Sequence, residues 1–178
     1  MASALRKVQA DRVDTETGAL CVAQPGDLLA VLRVLAQGDP SGALPASASH
    51  AERGTWAHMM RTEGMMVYVA EADGRVVGTA TLLVMPNLTY QCAPTVFIGA
   101  VVVATSHRRH GSASAMIRRI LTDTRSSGCN KVQLLSHKRH ASDGADRLYT
   151  ALGFEPEAQG FRLCHQQVSG AVRSARAT

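Results

Sequence analysis

The sequence predicts a single α/β domain, and three observations lead to that fold class. Apolar runs rich in β-branched residues, typical of strands, alternate with segments that carry apolar residues at helical spacing. Two strand-to-helix connections follow one another in the C-terminal half, an order typical of layered α/β proteins. The length of 178 residues suits one domain with enough chain to bury a core.

Composition and cysteine usage narrow the class of protein. An apolar content of 46% with 19% charged residues is typical of a globular chain. No apolar run approaches the roughly 20 residues needed to cross a bilayer, and the N-terminus lacks the apolar core of a secretory signal. The four cysteines are scattered without a Cys-x-x-Cys pair, which predicts reduced thiols. We therefore expect a cytoplasmic protein without a membrane partner.

The charge is unevenly distributed along the chain. Residues 1–100 carry 7 Lys/Arg and 9 Asp/Glu, a net of −2, whereas residues 101–178 carry 12 and 5, a net of +7; together they give +5. A basic half favours a polyanion, either nucleic acid or a phosphate-rich cofactor. The aromatic content of 4% leaves few platforms for base stacking, which disfavours single-stranded nucleic acid. The acidic half favours a cationic partner.

The N-terminal half contains a polar stretch, two helix signals and a hairpin signal. Residues 1–18 have no clear periodicity, and we interpret them as a flexible or strand-swapping arm. Pro25-Gly26-Asp27 is typical of a helix start, and Asp73-Gly74 of a two-residue hairpin turn. The predicted elements are a strand over Leu20–Ala23, a helix from Pro25 with Leu28, Leu29, Leu32 and Leu35 as its buried stripe, a helix over His50–Arg61 carrying Trp56, Met59 and Met60, and strands over Met65–Glu71 and Arg75–Met85.

The most informative stretch is a strand, a basic turn and a helix in the C-terminal half. An apolar run over Val96–Val103 predicts a buried strand, and residues 108–113 then read Arg-Arg-His-Gly-Ser-Ala. The first N–H groups of the following helix lack intrahelical partners and carry the positive end of its dipole, so the turn predicts an anion site. The later predicted elements are a strand over Lys131–Ser136, a helix over Ala145–Leu152 and a strand over Phe161–Cys164.

Two motifs resemble those of a known family. The turn at 108–113, Arg-x-x-Gly-x-Ala, resembles the acyl-CoA-binding signature of the GNAT superfamily of N-acetyltransferases. Residues 145–154 are similar to that family's second cofactor motif, Ala-x-x-x-Tyr-x-x-x-Gly-Phe. The resemblance extends over roughly residues 19–165. It implies one GNAT-like domain with a mixed, partly splayed central sheet flanked by helices, with residues 1–18 as an arm and 166–178 as a tail.

The resemblance also implies how acetyl-CoA would bind as co-substrate, without a metal. The backbone of Val101–Val103 would pair with the pantetheine arm like an added strand, and the turn would hold the pyrophosphate. Tyr149 would lie near the sulfur as general acid. The alternatives are a plain basic turn and a tyrosine that packs on the sheet. The implied cofactor-binding residues are Val101, Val102, Val103, Arg108, Arg109, His110, Gly111, Ser112, Ala113, Ser114 and Tyr149, and Tyr149 is the implied catalytic residue.

One departure from the family concerns the general base. Related enzymes often carry Glu-Asn or Glu-Asp before the valine run, where the carboxylate relays a proton from the amine through water. Here those positions are Gly99 and Ala100. Either another group acts as base, or the amine reacts through its neutral fraction. By position, His137, Glu63 and Glu71 are the candidates.

Two similar basic clusters, residues 107–110 and 137–140, follow strands that we expect to be neighbours. They favour attraction of the cofactor phosphates, with a solvated basic rim as the alternative. The cations would repel a divalent ion, and no carboxylate or cysteine joins at ligand spacing, so neither cluster predicts a metal site.

The predicted function is acetyl transfer from acetyl-CoA to a primary amine of a small molecule. Because one half of the chain is acidic, we expect a cationic acceptor, with an aminoglycoside-type antibiotic as the leading hypothesis. Polyamines, amino acids, aminoalkyl phosphonates, a protein or peptide acceptor and a non-catalytic CoA sensor remain open, as does a homodimer. The candidate acceptor-binding residues are Trp56, Glu63, Tyr90 and His137, although Trp56 is also typical of a helix core.

Overall fold

The computed structural model describes residues 12–15, 18–38, 42–137, 144–158, 160, 161 and 163. This part of the chain forms a mixed sheet with helices on both faces, which confirms the predicted α/β class. Its strands are β1 (Val13–Thr15), β2 (Gly18–Val22), β3 (Met65–Ala72), β4 (Arg75–Met85), β5 (Thr95–Val103) and β6 (Lys131–Leu134). They lie side by side in chain order, antiparallel except for the parallel pair β5–β6.

The helices are distributed over both faces of the sheet. Their bounds are α1 (Leu28–Ala36), α2 (His50–Arg61), α3 (Ser112–Ser126) and α4 (Ala145–Ala151), with short 3-10 turns at Pro25–Asp27, Tyr90–Cys92 and Thr105–His107. No helix in the described ranges has the length and apolar character to cross a membrane.

The alternation of side chains along β3 divides the interior into two cores. Val67 and Val69 point to the face covered by α1 and α2, where they pack with Trp56. Met66, Tyr68 and Ala70 point to the other face, against α3. Met116, Ile117 and Ile120 of α3 are completely buried there. Burial of each such side chain contributes about 1.5–3 kcal/mol, so α3 is firmly seated on the sheet.

A buried polar network also joins α3 to the sheet. The Tyr68 hydroxyl donates a hydrogen bond to Asp123 Oδ2 at 2.9 Å. Arg119 Nε donates to both oxygens of the same carboxylate, at 3.0 and 2.8 Å. Burial raises the pKa of the Tyr68 hydroxyl, and the negative charge of Asp123 raises it further. The carboxylate therefore has both a neutral and a charged donor, which satisfies it in the interior.

Local signals predicted the bounds of several elements well. The predicted helix His50–Arg61 matches α2, which begins with a capping box: Ser49 Oγ accepts from the Glu52 N–H, and Glu52 accepts from the Ser49 N–H. In the predicted hairpin, Asp73 and Gly74 both have positive φ, 50° and 70°, as a type I′ turn requires.

Other expectations were wrong. The residues of α1 that are almost completely buried are Val31 and Val34. The predicted leucine stripe is only partly buried, and of its members Leu28 and Leu35 pack against the core under α1 and α2. The helix is apolar nearly all round, so periodicity alone does not select its buried face. Within the predicted arm, Val13–Thr15 forms β1 and pairs with β2 of the same chain. The strand predicted over residues 131–136 ends at Leu134.

The remaining C-terminal predictions fall largely outside the described residues. Of the strand predicted over residues 161–164, Phe161 and Leu163 are exposed and belong to no strand, while residues 162 and 164 lie outside the described ranges. The predicted tail lies outside them as well. Cys21, Cys92 and Cys129 are free thiols.

Candidate functional site

The parallel strands β5 and β6 separate part-way along their length. Their pairing ends at Ile98 and Leu134, whereas β5 continues to Val103 and stays paired with β4 as far as Gly78. In the described part of the chain, residues 99–103 therefore pair along one edge only. We call this opening between β5 and β6, along residues 99–103, the cleft; it is the predicted splay of the sheet. An unpaired strand edge can accept an extended ligand through main-chain hydrogen bonds.

A β-bulge lies where the two strands part. Thr81 pairs with Gly99 and Thr79 with Val102, so the register shifts by one residue on β5. Ala100 lies within the bulge with a φ of 48°. A left-handed conformation costs a residue with a Cβ roughly 1–2 kcal/mol. Such strain and such bulges occur preferentially next to functional sites.

A sharp turn leads from the open end of β5 into α3. Arg109 and Gly111 have positive φ values of 65° and 87°, and Gly111 caps α3 without a side-chain hydrogen bond. The Ala115 N–H donates to the Gly111 carbonyl at 2.9 Å, which is the first bond of the helix. The N–H groups of residues 112–114 thus have no intrahelical acceptor, and they lie at the positive end of the dipole. Arg109 and His110 are exposed beside them. Together these groups make an anion-attracting helix end.

The side chain of Arg108 donates hydrogen bonds to two main-chain carbonyls outside this helix end. Its Nε donates to the Val103 carbonyl at 3.1 Å, and its Nη2 donates to the Gln37 carbonyl at 2.9 Å. Gln37 Oε1 in turn accepts from the Thr105 N–H at 2.9 Å. The guanidinium predicted to act on phosphates is therefore engaged in joining the turn to the end of α1. Sequence reasoning missed Gln37, since nothing local relates it to a turn 68 residues away.

A cavity of about 330 Å³ opens at the bulge. Thr81, Phe97 and Gly99 of its lining alternate with residues of the core under α3 and so lie on the opposite face of the sheet. Ile98 and Leu134 of its lining contribute to that core, so the cavity lies between the parting strands. Its volume is within the range of small-molecule sites. Thr81 supplies a hydroxyl, and the other lining residues that the structure describes are apolar or glycine. The lining residues are Thr81, Leu83, Phe97, Ile98, Gly99, Leu134 and Leu135.

The family model of the GNAT acetyltransferases matches residues 29–154, which include the cleft, the turn and α4. The chain belongs to the GNAT acetyltransferase family. It is therefore an N-acetyltransferase, and acetyl-CoA is the co-substrate of this family.

Individual relatives agree with this assignment. The chain is 33% identical over 155 residues to a glucosamine 6-phosphate N-acetyltransferase of Trypanosoma brucei brucei, covering 86% of this chain and 97% of the relative. It is 30% identical to the structure of a putative acetyltransferase from Agrobacterium tumefaciens str. C58, with a TM-score of 0.74 over 82% of this chain and 98% of the other. An aminoglycoside acetyltransferase from an uncultured soil metagenomic sample has a TM-score of 0.64, covering 83% of this chain and 95% of the other; at 18% identity it shows the fold alone.

In this GNAT domain, Tyr149 lies on α4 and packs against the core under α3. Its ring meets Phe154 edge-on, with centroids 5.9 Å apart and an interplanar angle of 72°. Burial raises the pKa of the Tyr149 hydroxyl, and the nearby Asp146 carboxylate raises it further. The hydroxyl therefore stays protonated at neutral pH and remains a hydrogen-bond donor. Its proximity to the sulfur stays a prediction.

The predicted acceptor residues are not brought together. Trp56 is 6% exposed in the core under α1 and α2, and its indole donates to the Pro25 carbonyl at 3.2 Å, so its assignment to an acceptor pocket was wrong. Glu63, Tyr90 and His137 are exposed, and none lines the cavity.

The groups weighed as general bases or ligands have other surroundings as well. Glu71 accepts a hydrogen bond of 2.7 Å from Arg12, at the far side of β3 from the cleft. His107 Nδ1 shares a 2.8 Å hydrogen bond with Ser106 Oγ. Residues 138–140 of the second basic cluster lie outside the described residues. Within the described ranges, no three His, Cys, Asp or Glu side chains gather as a metal site would require.

Proposed function

We propose that this GNAT enzyme transfers the acetyl group of acetyl-CoA to the primary amine of an amino-sugar phosphate such as glucosamine 6-phosphate. The observation that carries the proposal is the 33% identity to a glucosamine 6-phosphate N-acetyltransferase along 97% of that relative's length. An alignment that nearly spans both chains includes the basic half, residues 101–178, which carries the motifs for acetyl-CoA, and most of the acidic half, residues 1–100, from which an acceptor site was expected.

The geometry of the cleft supports a binding mode for acetyl-CoA, the acetyl donor. The pantetheine arm, which contains two amide groups, would lie along the open edge of β5 at residues 99–103 and pair with its main chain. The pyrophosphate would bind to the backbone of Arg109–Ser114, where N–H groups and a helix dipole converge. The thioester would then lie near the bulge at Ala100, next to the cavity.

The chemistry requires little from the protein because the thioester is already activated. The amine nitrogen attacks the carbonyl carbon, the C–N bond forms, and the C–S bond breaks. The thiolate takes a proton from the Tyr149 phenol, which recovers it from water. The proton lost by the nitrogen leaves through water, because Gly99 and Ala100 carry no carboxylate and Glu71 is paired with Arg12. The main contribution of the site is thus to orient the two reactants.

The charges around the cavity favour a sugar phosphate over an aminoglycoside. Among the described residues that line the cavity, none carries a carboxylate that could attract a polycation. Of the acidic residues in the N-terminal half, Glu52 is engaged by Ser49 and Glu71 by Arg12. The aminoglycoside hypothesis rested on that acidic half and has no further support here.

A cation for the acceptor phosphate is available on β6. Lys131 is paired with Thr95, two residues before Phe97 of the cavity lining, so it lies on the same face about 7 Å along the strand. Its Nζ lies 4.9 Å from the centroid of the Tyr90 ring. We propose Lys131 as the group that binds the phosphate.

The test is a thiol-release assay with acetyl-CoA and a panel of amines: glucosamine 6-phosphate, glucosamine, an aminoglycoside and a short peptide. We expect turnover with glucosamine 6-phosphate. The Lys131→Met variant should raise the KM for glucosamine 6-phosphate about tenfold, as for the loss of one charged hydrogen bond, and leave the KM for glucosamine unchanged. Arg75→Met, which removes an exposed cation at the β3–β4 turn, is the matched control.

Each alternative gives a different result. Turnover with the peptide or the aminoglycoside, but not with the sugar phosphate, would contradict the proposed acceptor. Tight acetyl-CoA binding without turnover of any amine would instead indicate a CoA-binding sensor. Absence of CoA binding would contradict the assignment of the cleft and turn.

A further inference from the structure

The end of α1 makes polar contacts to the turn between β5 and α3 that no sequence motif predicts. We propose that Gln37 is a positioning residue for the cofactor: it holds this turn in the shape that binds the pyrophosphate. The inference rests on the proposed role of Arg109–Ser114 as the pyrophosphate site. It adds to that site a residue from the acidic half of the chain, residues 1–100.

Gln37 contacts the turn at two points. Its side-chain Oε1 accepts from the Thr105 N–H, and its main-chain carbonyl accepts from Arg108 Nη2, both at 2.9 Å. Arg108 Nε also donates to Val103 at 3.1 Å. These bonds fix both ends of the segment 105–108, which leads directly into the left-handed residues Arg109 and Gly111.

The Gln37 side chain is itself held in place. Its Nε2 donates to the Arg33 carbonyl one helical turn earlier, at 3.2 Å, which directs Oε1 toward the turn. The next residue, Gly38, lies so close to β5 that a Cβ there would meet Val102 at 3.2 Å. The end of α1 therefore fits tightly against the strand edge next to the turn.

The turn has few other means of holding its shape. Most of its residues from 105 to 111 are exposed, so packing against the core contributes little. Its internal backbone bonds are His107 N–H to Ala104 at 2.8 Å and Arg108 N–H to Thr105 at 3.4 Å, the latter long. Among the residues that the structure describes, those of α1 and its C-terminal end thus provide the main constraint on the approach to the helix end.

The experiment compares two donors, acetyl-CoA and acetyl-pantetheine, which lacks the pyrophosphate. Gln37→Met keeps the length and helix preference of the side chain but removes the acceptor for Thr105. We expect the Kd for CoA and the KM for acetyl-CoA to rise about fivefold, with kcat unchanged and with no change for acetyl-pantetheine. The matched control is Gln24→Met, which removes a glutamine hydrogen bond to Val22 at the opposite end of α1. It should leave both donors unaffected.

A second variant removes the same hydrogen bond from the other partner. Thr105 begins a 3-10 turn, a position at which proline is tolerated, and Ala104 before it has an extended ψ of 137°. Thr105→Pro deletes the N–H without altering Gln37. It should raise the Kd for CoA by the same factor, and the double variant should add nothing further.

Equal losses with acetyl-CoA and acetyl-pantetheine would show a general structural role and overturn the inference, as would unchanged CoA binding in both variants. Binding titrations with CoA need no acceptor, so the result is independent of the proposed amino-sugar phosphate. If the wild-type chain itself did not distinguish CoA from pantetheine, the pyrophosphate site, and not Gln37 alone, would be wrong.

Discussion

Filling the cavity at the bulge should separate cofactor binding from acceptor binding. Gly99 lines the cavity, and a Cβ added there would meet no atom within 4 Å, so Gly99→Leu places a side chain in open space without a clash. A sphere of 330 Å³ is about 9 Å across. Because non-bonded carbon atoms in contact lie about 3.5–4.0 Å apart, a leucine side chain would occupy much of the width next to the bulge that a sugar ring would need.

We expect kcat/KM for the amine to fall at least about 100-fold, since even a small misplacement of the reacting groups can cost that much. The Kd for CoA should change less than about threefold, because the contacts proposed for CoA at residues 99–103 are main-chain hydrogen bonds, which a side chain at position 99 does not remove, and the turn at residues 108–114 is untouched. The assays are steady-state thiol release and calorimetric titration with CoA. Gly54→Leu is the matched control: this exposed helical glycine also has no atom within 4 Å of an added Cβ, and leucine favours the helix.

Two results would refute this reasoning. If Gly99→Leu kept more than one-tenth of the wild-type kcat/KM, the amine would not bind in this cavity. If it lost CoA binding in proportion to activity, the cavity would belong to the donor rather than to the acceptor.

Three further predictions concern the tyrosines. Tyr68→Phe removes a buried hydrogen bond to the Asp123 carboxylate, worth about 1.5–3 kcal/mol, and should lower Tm by roughly 3–12 °C. The control variant Tyr90→Phe, at an exposed tyrosine, should change Tm little. A shift below about 1 °C in Tyr68→Phe would contradict the stabilising role of the hydrogen bonds around Asp123. Burial raises the pKa of Tyr68 and Tyr149 in the folded state. Their contribution to the free energy of unfolding is therefore complete below the unfolded-state pKa of about 10 and is lost as the pH rises through the folded-state values. Urea unfolding from pH 8 to 12 should show the free energy of unfolding falling above about pH 10, and falling less in Tyr68→Phe. Tyr149→Phe should lower kcat about 100-fold with the Kd for CoA unchanged, and a kcat within threefold of wild type would exclude it as the general acid.

Much of the fold was predictable because its signals are local. The bounds of α2 follow from a capping box at Ser49, and the β3–β4 hairpin follows from Asp73-Gly74, whose preference for left-handed conformations is intrinsic. The strand–turn–helix unit that forms the cleft was also predictable, since the valine run, Gly111 and the small residues after it each restrict their own backbone.

The surroundings of Trp56 and Arg108 differ from those expected for one physical reason, which is contact between residues far apart in the chain. Trp56 could line a pocket or a core, and only the packing of α1 and α2 on β3 places it in a core. Arg108 could attract phosphate by its charge alone, but two carbonyl acceptors lie within its reach in the folded chain. No propensity encodes such a partner.

The sequence by itself therefore determined the α/β class, the order of the strands and helices, the anion-attracting turn and the family motifs. These depend on residues that act within a few positions of one another. The tertiary structure decided where β5 and β6 part, which face of α1 is buried, that a cavity lies at the bulge, and that Gln37 reaches the turn. Each of these features depends on residues that folding brings together from distant parts of the chain. The packing contacts and hydrogen bonds that stabilise them form only in the folded chain.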